Sequence, residues 1–556
     1  MPLSSRPLTR RRFIQNLTSF GGIGAAYTAL AAFDLMGQGA LAQGDTTAPL
    51  PNASLQGKSV IVIGAGLAGL CSAMRLARAG ATVQILEATA RPGGRSLTLR
   101  NGDSYREWDW NSETRMTFEE VGKVPADHPD NYLNAGPGRI PQHHARVLDY
   151  CKTFGVELQP YLYMDKANLM QNDAWNEGRP VQVRRLKNDL RGHLGELMAK
   201  VADQGALDLP LSQADTEAFL ELLTHFGQLT QDGAQLIYAG AALKNDYVRA
   251  GYAVDPGDVK TPGRPWPTLS LSEVMASDFW KSEMFDDLEY FWQTSLMQPV
   301  GGMDMIWKGL LQADVGDDKT VADLIVLEQP VSAIDADENG AAVRTVTGET
   351  FAADFVIATL SAPLLAQLGG NFMDAVTRQI LSQVYVTPAC KVGFQGRSRF
   401  WEEEDRIYGG ISWTKGSISQ IWYPNYSFNS PTGVLTAAYN RGQQAEEFQK
   451  LTRAERLEAA LAGGEKLHKG YRNKVFAENG VTIAWAKMPY QAGGWANDTA
   501  YTQPEVFSAM AAADPVGRTV FMAGDWFSYW PGWQVGALDS AHLATDQIAR
   551  KALTDG

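Results

Sequence analysis

Residues 59–95, SVIVIGAGLAGLCSAMRLARAGATVQILEATARPGGR, constrain what this chain can fold into more than any other stretch. Val60, Ile61, Val62 and Ile63 form a short apolar, β-branched run of the kind that makes a buried parallel strand. Gly64, Gly66 and Gly69 follow as G-x-G-x-x-G. The first glycine permits a tight turn, the second lets backbone approach a pyrophosphate, and the third lets the next helix pack on the strand. Leu67, Leu70, Met74 and Leu76 give that helix an apolar face. A second strand over 82–86 ends at Glu87, 18 residues after Gly69, where a carboxylate can accept hydrogen bonds from a ribose diol. Strand, glycines, helix, strand and acid in that order predict a dinucleotide-binding βαβ unit.

Arg91-Pro92-Gly93-Gly94-Arg95 narrows the choice of dinucleotide. The segment resembles the flavin amine oxidase superfamily, which includes monoamine oxidases and L-amino-acid oxidases. In that family the second glycine pair and its arginine lie along FAD, which implies Gly94 and Arg95 as cofactor contacts here. The physical reading agrees: glycines allow close backbone approach, and Arg95 offers a fork of donors suited to phosphate. The resemblance implies an α/β fold: a Rossmann-like FAD-binding domain, a mixed-sheet substrate domain and a helical insertion. We expect the FAD domain over 57–118, 298–385 and 500–556, the substrate domain over 119–180 and 386–499, and the helical domain over 181–297.

A chain of 556 residues has room for about 3–4 domain-sized units. Its net charge of −13 argues against nucleic acid or an anionic membrane as the main partner. Thr9-Arg10-Arg11-Arg12-Phe13-Ile14-Gln15 fits a twin-arginine export motif, an apolar Gly/Ala-rich run spans 20–33, and Ala40-Leu41-Ala42 offers a cleavage site. Gly21, Gly22, Gly24 and Asp34 interrupt the run, which favours a cleaved leader over a membrane anchor. Residues 1–42 are thus expected to be a leader, and the mature protein periplasmic or secreted, folded before export and without stable membrane association. Three cysteines, Cys71, Cys151 and Cys390, cannot all pair within one chain, and Cys71 and Cys390 read as small core residues. Seven histidines, His143 and His144 adjacent among them, show no metal-ligand spacing with the cysteines. No metal is expected. Oligomeric state is left open.

Further along, Gly136-Pro137-Gly138-Arg139-Ile140-Pro141 resembles the L-amino-acid oxidase segment whose arginine grips the substrate carboxylate, and a helix is expected over 142–154. Arginine suits bidentate recognition of a carboxylate. Leu186, Leu190, Leu194 and Leu197 space helically, and apolar helices are expected at 216–228 and 233–243. Strands are expected at 324–333 and 341–345. Cys390-Lys391-Val392-Gly393-Phe394 resembles the strand whose lysine holds a water against the flavin. Residues 433–439 resemble the strand whose tyrosine, here Tyr439, shares the carboxylate with the arginine. Residues 520–525 resemble the closing FAD motif, which implies Gly524 and Asp525 at the ribityl chain, and a helix over 534–551 would point its positive N-terminus at the flavin. The resemblance also implies Gly136 and Val331 at the cofactor, and Trp495, Gly532 and Trp533 beside the flavin ring.

Two departures matter. Monoamine oxidases attach FAD through a cysteine where this chain reads Tyr490-Gln491-Ala492-Gly493-Gly494-Trp495, so FAD is expected to bind non-covalently. Snake-venom-type L-amino-acid oxidases carry a histidine base shortly before the segment matching Val300-Gly301-Gly302-Met303-Asp304; residues 280–299 hold no histidine, and Asp286, Asp287 and Glu289 stand in that region instead. The resemblance therefore implies an FAD-dependent oxidase of a large L-amino acid, aromatic or basic. Arg139 and Tyr439 would hold the carboxylate, Lys391 would serve the chemistry, and Asp286 or Asp287 would meet a basic side chain. The products would be a 2-oxo acid, ammonia and hydrogen peroxide from O2. An amine oxidase, an amide-forming amino-acid monooxygenase and a flavin-binding module without turnover stand as alternatives.

Overall fold

Ile61, Val62 and Ile63 are buried on both faces, as the unbroken apolar run requires, and they sit at the centre of a five-stranded parallel sheet. This computed structural model describes residues 47–554 apart from 206–211, 241–247, 282, 294 and 498–517. The leader expected over 1–42 lies outside the described residues. From Leu50 onward the chain forms one unit.

The parallel sheet runs in the order Ile325–Val326, Thr82–Leu86, Ser59–Ile63, Phe355–Ala358, Val520–Met522. The first helix, Leu67–Arg78, packs between this sheet and the long final helix, Gln534–Thr554. Arg75 ties the two helices through Thr545 Oγ1 at 2.9 Å and Asp546 Oδ1 at 2.7 Å. The doubly covered parallel sheet with a G-x-G-x-x-G turn at its centre is the Rossmann-like layer the sequence predicts.

A seven-stranded mixed sheet carries the second layer. Its order is Val481–Ala484, Ala389–Gln395, Val434–Arg441, Gln420–Trp422, Ile411–Thr414, Leu169–Gln171, Val181–Gln182. All neighbours are antiparallel except Ile411–Thr414 against Leu169–Gln171. The register sets Lys391 directly opposite Tyr439, and Ala389 opposite Arg441.

Several expectations change here. The helix expected over 233–243 is, through residue 237, part of a hairpin of Thr230–Asp232 with Gln235–Ile237. The two-residue loop is Gly233-Ala234, and Gly233 takes φ +58° at its first position, which outweighs the apolar helical spacing. The helix Val183–Asp203 forms, yet only Leu186 and Leu190 of its leucine row are buried; Leu194 and Leu197 are 40% and 47% exposed. The strand expected over 324–333 splits into Ile325–Val326 and Val331–Ala336, because Glu328 turns to φ +58° and Pro330 has no N–H to pair. The helix expected from 142 is Ala145–Thr153.

Candidate active site

A cavity of about 420 Å³ runs from the G-x-G-x-x-G turn to the mixed sheet. At one end it is lined by Gly64, Gly66, Glu87, Gly94 and Arg95, and farther along by Gly136, Val331, Gly524 and Asp525. Gly69, expected at the cofactor, does not line it: a Cβ there would overlap the carbonyl oxygen of Gly64, so this glycine holds helix against turn behind the wall. Gly94 takes φ +53° and brings the second glycine pair onto the first, with a Cβ only 3.4 Å from the Gly66 Cα.

Glu87 ends its strand buried. One carboxylate oxygen accepts the Ala65 N–H at 2.8 Å, and the other accepts the N–H and hydroxyl of Thr89 at 2.9 and 2.7 Å. The acid is thereby fixed at the turn with acceptor capacity left over. Arg95 departs from its expected role. Its guanidinium pairs with Asp525 and donates to the Gly494 carbonyl at 2.8 Å, so the fork is committed to protein rather than offered to phosphate. Asp525 also accepts the Gly532 N–H at 2.9 Å. Arg95 and Asp525 thus tie together the segments around residues 494 and 532. Gln534 and Ala537 line the cavity as well, which sets the first turn of the final helix against it.

These features fit a flavin dinucleotide. Gly66, whose Cβ would stand in open space at the cradle, an acid at the strand end and a helix N-terminus all meet one cavity. Among the described residues no cysteine lines it; Cys71, Cys151 and Cys390 are free and buried elsewhere.

At the other end the structure brings Arg139, Lys391, Tyr439, Trp495, Gly532 and Trp533 to the same cavity. Lys391 is buried, and its Nζ donates to the carbonyls of Asn134 at 2.8 Å and Gly136 at 2.6 Å. Those bonds fasten the Lys391 strand to the Gly136–Arg139 loop. Burial, and then the charge of Arg139, push the Lys391 amine down to about 7. Burial raises the Tyr439 phenol, with Arg441 and Arg139 opposing the rise.

Arg139 sits in an aromatic box. Its Cζ lies 4.2 Å from the Trp292 ring centroid and 4.3 Å from that of Trp422. Its Nε is buried and has no hydrogen-bond partner among the described residues. A buried guanidinium N–H without a partner costs about 1–3 kcal/mol or more, a cost an anionic ligand would remove. Trp422 is itself fixed, donating to Gln420 Oε1 at 2.6 Å and meeting Tyr439 edge-on at 5.0 Å.

The acids expected for a basic side chain are not brought in. Asp287 pairs with Lys187 at 2.6 Å, Asp286 accepts the Tyr163 hydroxyl at 3.0 Å, and neither lines the cavity. The expected aromatic wall is broader than two indoles. Trp495 lies against Gly532, whose Cβ would come within 2.9 Å of the indole, whereas Trp533 stacks on Phe291 at 5.7 Å. Trp292, Trp422, Trp485, Tyr490 and Arg441 line the cavity and went unread in the sequence. Only Arg441 carried a signal, lying two residues beyond Tyr439 on the same strand face. No histidine lines the cavity among the described residues; His144, pushed down to about 3 by burial, packs edge-on to Trp533 at 4.8 Å.

Similarity to known proteins agrees with this geometry. The flavin-dependent L-tryptophan oxidase of Lentzea aerocolonigenes is 29% identical over 512 residues, covering 88% of this chain and 98% of that protein. An L-amino-acid oxidase of Protobothrops flavoviridis is 25% identical over 521 residues, 89% of each chain. In fold, the chain resembles cyclohexylamine oxidase from Brevibacterium oxydans, with a TM-score of 0.55 at 16% identity over 89% of this chain and 99% of that one. The flavin containing amine oxidoreductase family matches residues 67–549, and the chain belongs to that family.

Proposed function

We propose that the protein is an FAD-dependent L-amino-acid oxidase. The observation that carries this reading is Arg139, a half-buried guanidinium whose buried Nε has no partner among the described residues, held between two indoles beside Tyr439 and Lys391. An amine oxidase acting on a substrate without a carboxylate has no use for that group. Similarity to proteins named L-tryptophan oxidase and L-amino-acid oxidase supports the same reading.

Arg139 and Tyr439 would hold the α-carboxylate, Arg139 through charge-assisted hydrogen bonds in a water-poor box. That grip fixes the direction of the Cα–H bond, and positioning of this kind is the larger part of what these residues contribute. Lys391, titrating near 7, would hold a water or accept a proton at Nζ as the substrate amine becomes neutral. The flavin, when bound, would supply a two-electron acceptor for hydride from Cα, and O2 would take those electrons back and be reduced to hydrogen peroxide. Water then hydrolyses the imino acid to a 2-oxo acid and ammonia.

For the side chain, the aromatic lining favours a large aromatic substrate. A basic one loses its support, since Asp286 and Asp287 lie off the cavity. FAD would be held without a covalent bond, and acid precipitation should then leave all flavin in the supernatant. The deciding experiment is anaerobic bleaching of the flavin by L-amino acids set against the amines formed by decarboxylating them. Bleaching by the amines alone would reassign the protein to amine oxidation. Amide in place of 2-oxo acid among the aerobic products would make it a monooxygenase.

We infer from Arg10, Arg11 and the run that follows that the enzyme is exported folded by the twin-arginine route and works outside the cytoplasm. Arg10→Lys with Arg11→Lys should retain a flavin-loaded precursor in the cytoplasm; undiminished export of the double variant refutes the reading.

A further inference from the structure

Arg441 closes the strand Val434–Arg441 and lines the same cavity as Arg139 and Tyr439. Side chains alternate along a strand, so Tyr439 and Arg441 leave the same face roughly 7 Å apart. The Cζ of Arg441 lies 5.8 Å from the Tyr439 ring centroid. Across the ladder its neighbour is Ala389, another lining residue and too small to cover the guanidinium.

The cavity's other two arginines are placed differently. Arg95 is committed to Asp525 and the Gly494 carbonyl, and Arg139 is boxed by Trp292 and Trp422. Arg441 is exposed, and its side chain makes no hydrogen bond or ion pair among the described residues. Asp286 and the Tyr163 phenol feel its charge, yet Asp286 remains bonded to Tyr163 and forms no ion pair with Arg441. The cavity therefore presents a second cation beside the ring of Tyr439, the residue whose hydroxyl would share the substrate carboxylate.

We propose that Arg441 reads the far end of the substrate's side chain, favouring a terminal carboxylate and rejecting a terminal ammonium or guanidinium. This rests on the oxidase reading and deepens it. Arg139 takes the carboxylate common to all L-amino acids, and Arg441 discriminates among them. A permanent cation at a site where basic substrates would place their own charge is a repulsive element, and specificity often depends on one. The same guanidinium can stack on an aromatic ring, so aromatic substrates are not penalised as basic ones are.

The test compares kcat/KM for L-glutamate, L-norleucine and L-lysine in the wild type, Arg441→Met, Arg441→Glu and Arg441→Lys, each loaded with flavin. L-Norleucine is the uncharged reference. Expected in Arg441→Met is a tenfold or larger fall in the glutamate-to-norleucine ratio, carried mainly by KM, and a tenfold or larger rise in the lysine-to-norleucine ratio. Arg441→Glu should extend both changes, and Arg441→Lys should keep most of the wild-type ordering. Ratios that stay constant, or all three substrates falling by one common factor, overturn the proposal, the latter because Arg441 would then serve the shared carboxylate or the fold. A wild type that oxidises no L-amino acid instead overturns the reading beneath it.

Discussion

Lys391→Met should change how stability depends on pH, and the size of the change follows from where the amine sits. In the unfolded chain the lysine titrates near its ordinary 10.5, whereas in the folded cavity burial and Arg139 bring it to about 7. Between those values the unfolded state holds more protons than the folded one, so the wild type gains stability as pH rises. The penalty for a buried charge is fully present below about 7 and is gone near 10.5. One pH unit is worth about 1.4 kcal/mol, so the whole window spans on the order of 5 kcal/mol. Methionine cannot titrate, and the variant lacks this slope. It also leaves the Asn134 and Gly136 carbonyls without their donor, at about 1–3 kcal/mol each. That loss does not vary with pH, which is why the slope and not the absolute stability carries the test. Urea midpoints of both proteins from pH 7 to 9.5, followed by tryptophan fluorescence, should show the wild type gaining about 3 kcal/mol on the variant. Parallel curves would falsify the argument, for they would mean that the two carbonyls keep Lys391 charged throughout.

Arg139→Ala should lower kcat/KM on L-amino acids by roughly 10²–10³, or about 3–4 kcal/mol, with Arg139→Lys recovering only part because the fork is lost; near-normal steady-state kinetics with intact flavin would move the carboxylate elsewhere. Gly69→Ala should destabilise by ~1–3 kcal/mol and reduce bound flavin, since its Cβ meets the rigid Gly64 carbonyl; unchanged melting and flavin content would show that the turn can shift. Arg456→Met should cost about 3–5 kcal/mol, because it strands Glu107 in a pair where both side chains are fully buried. Glu107→Gln on top of it should recover much of that loss in denaturant titrations, and a double variant no better than the single one refutes the account.

The dinucleotide end was legible because its information is local. Gly64, Gly66, Gly69 and Glu87 lie within one βαβ unit: Gly69 is required by the Gly64 carbonyl it packs on, and Gly66 leaves open space at the cavity wall. Lys391 and Tyr439 could be nominated from their own segments, but their direct pairing is a matter of register between strands almost 50 residues apart. Asp286 and Asp287 depart from the expectation for a related reason. Their position along the chain is right for the cavity, but Tyr163 and Lys187, each 100 or more residues away, take up their carboxylates. Arg95 lines the cavity, but its fork is taken up by Asp525, which nothing near it in sequence discloses. The aromatic box around Arg139 needed Trp292 and Trp422, which only the tertiary fold assembles. The hairpin at 230–237 is signalled by Gly233 at the first position of its two-residue loop, a local cue that prevails over the helical periodicity of the apolar residues.

The cation cluster at the substrate end also makes substrate binding and proton transfer depend on each other. Lys391 is held low by burial first and by Arg139 second. A carboxylate docking on Arg139 neutralises the second cause and leaves the first, so Lys391 should regain part of its proton affinity when the site fills. Near pH 7, where the amine is about half protonated, that shift means net proton uptake by the enzyme. The substrate amine must lose a proton before hydride can leave Cα, so the carboxylate that anchors the substrate would also prepare the base that receives it. An aromatic carboxylate lacking the amine isolates the effect, because it fills the Arg139 site and brings no proton of its own. Calorimetric titration of the holoenzyme with such a ligand at pH 7, in two buffers of different ionisation enthalpy, should report uptake of a fraction of a proton. The uptake should vanish in Lys391→Met and fade by pH 5, where Lys391 is already charged. Proton release on binding, or equal uptake in the wild type and the variant, would place the titrating group elsewhere and break the link between anchor and base.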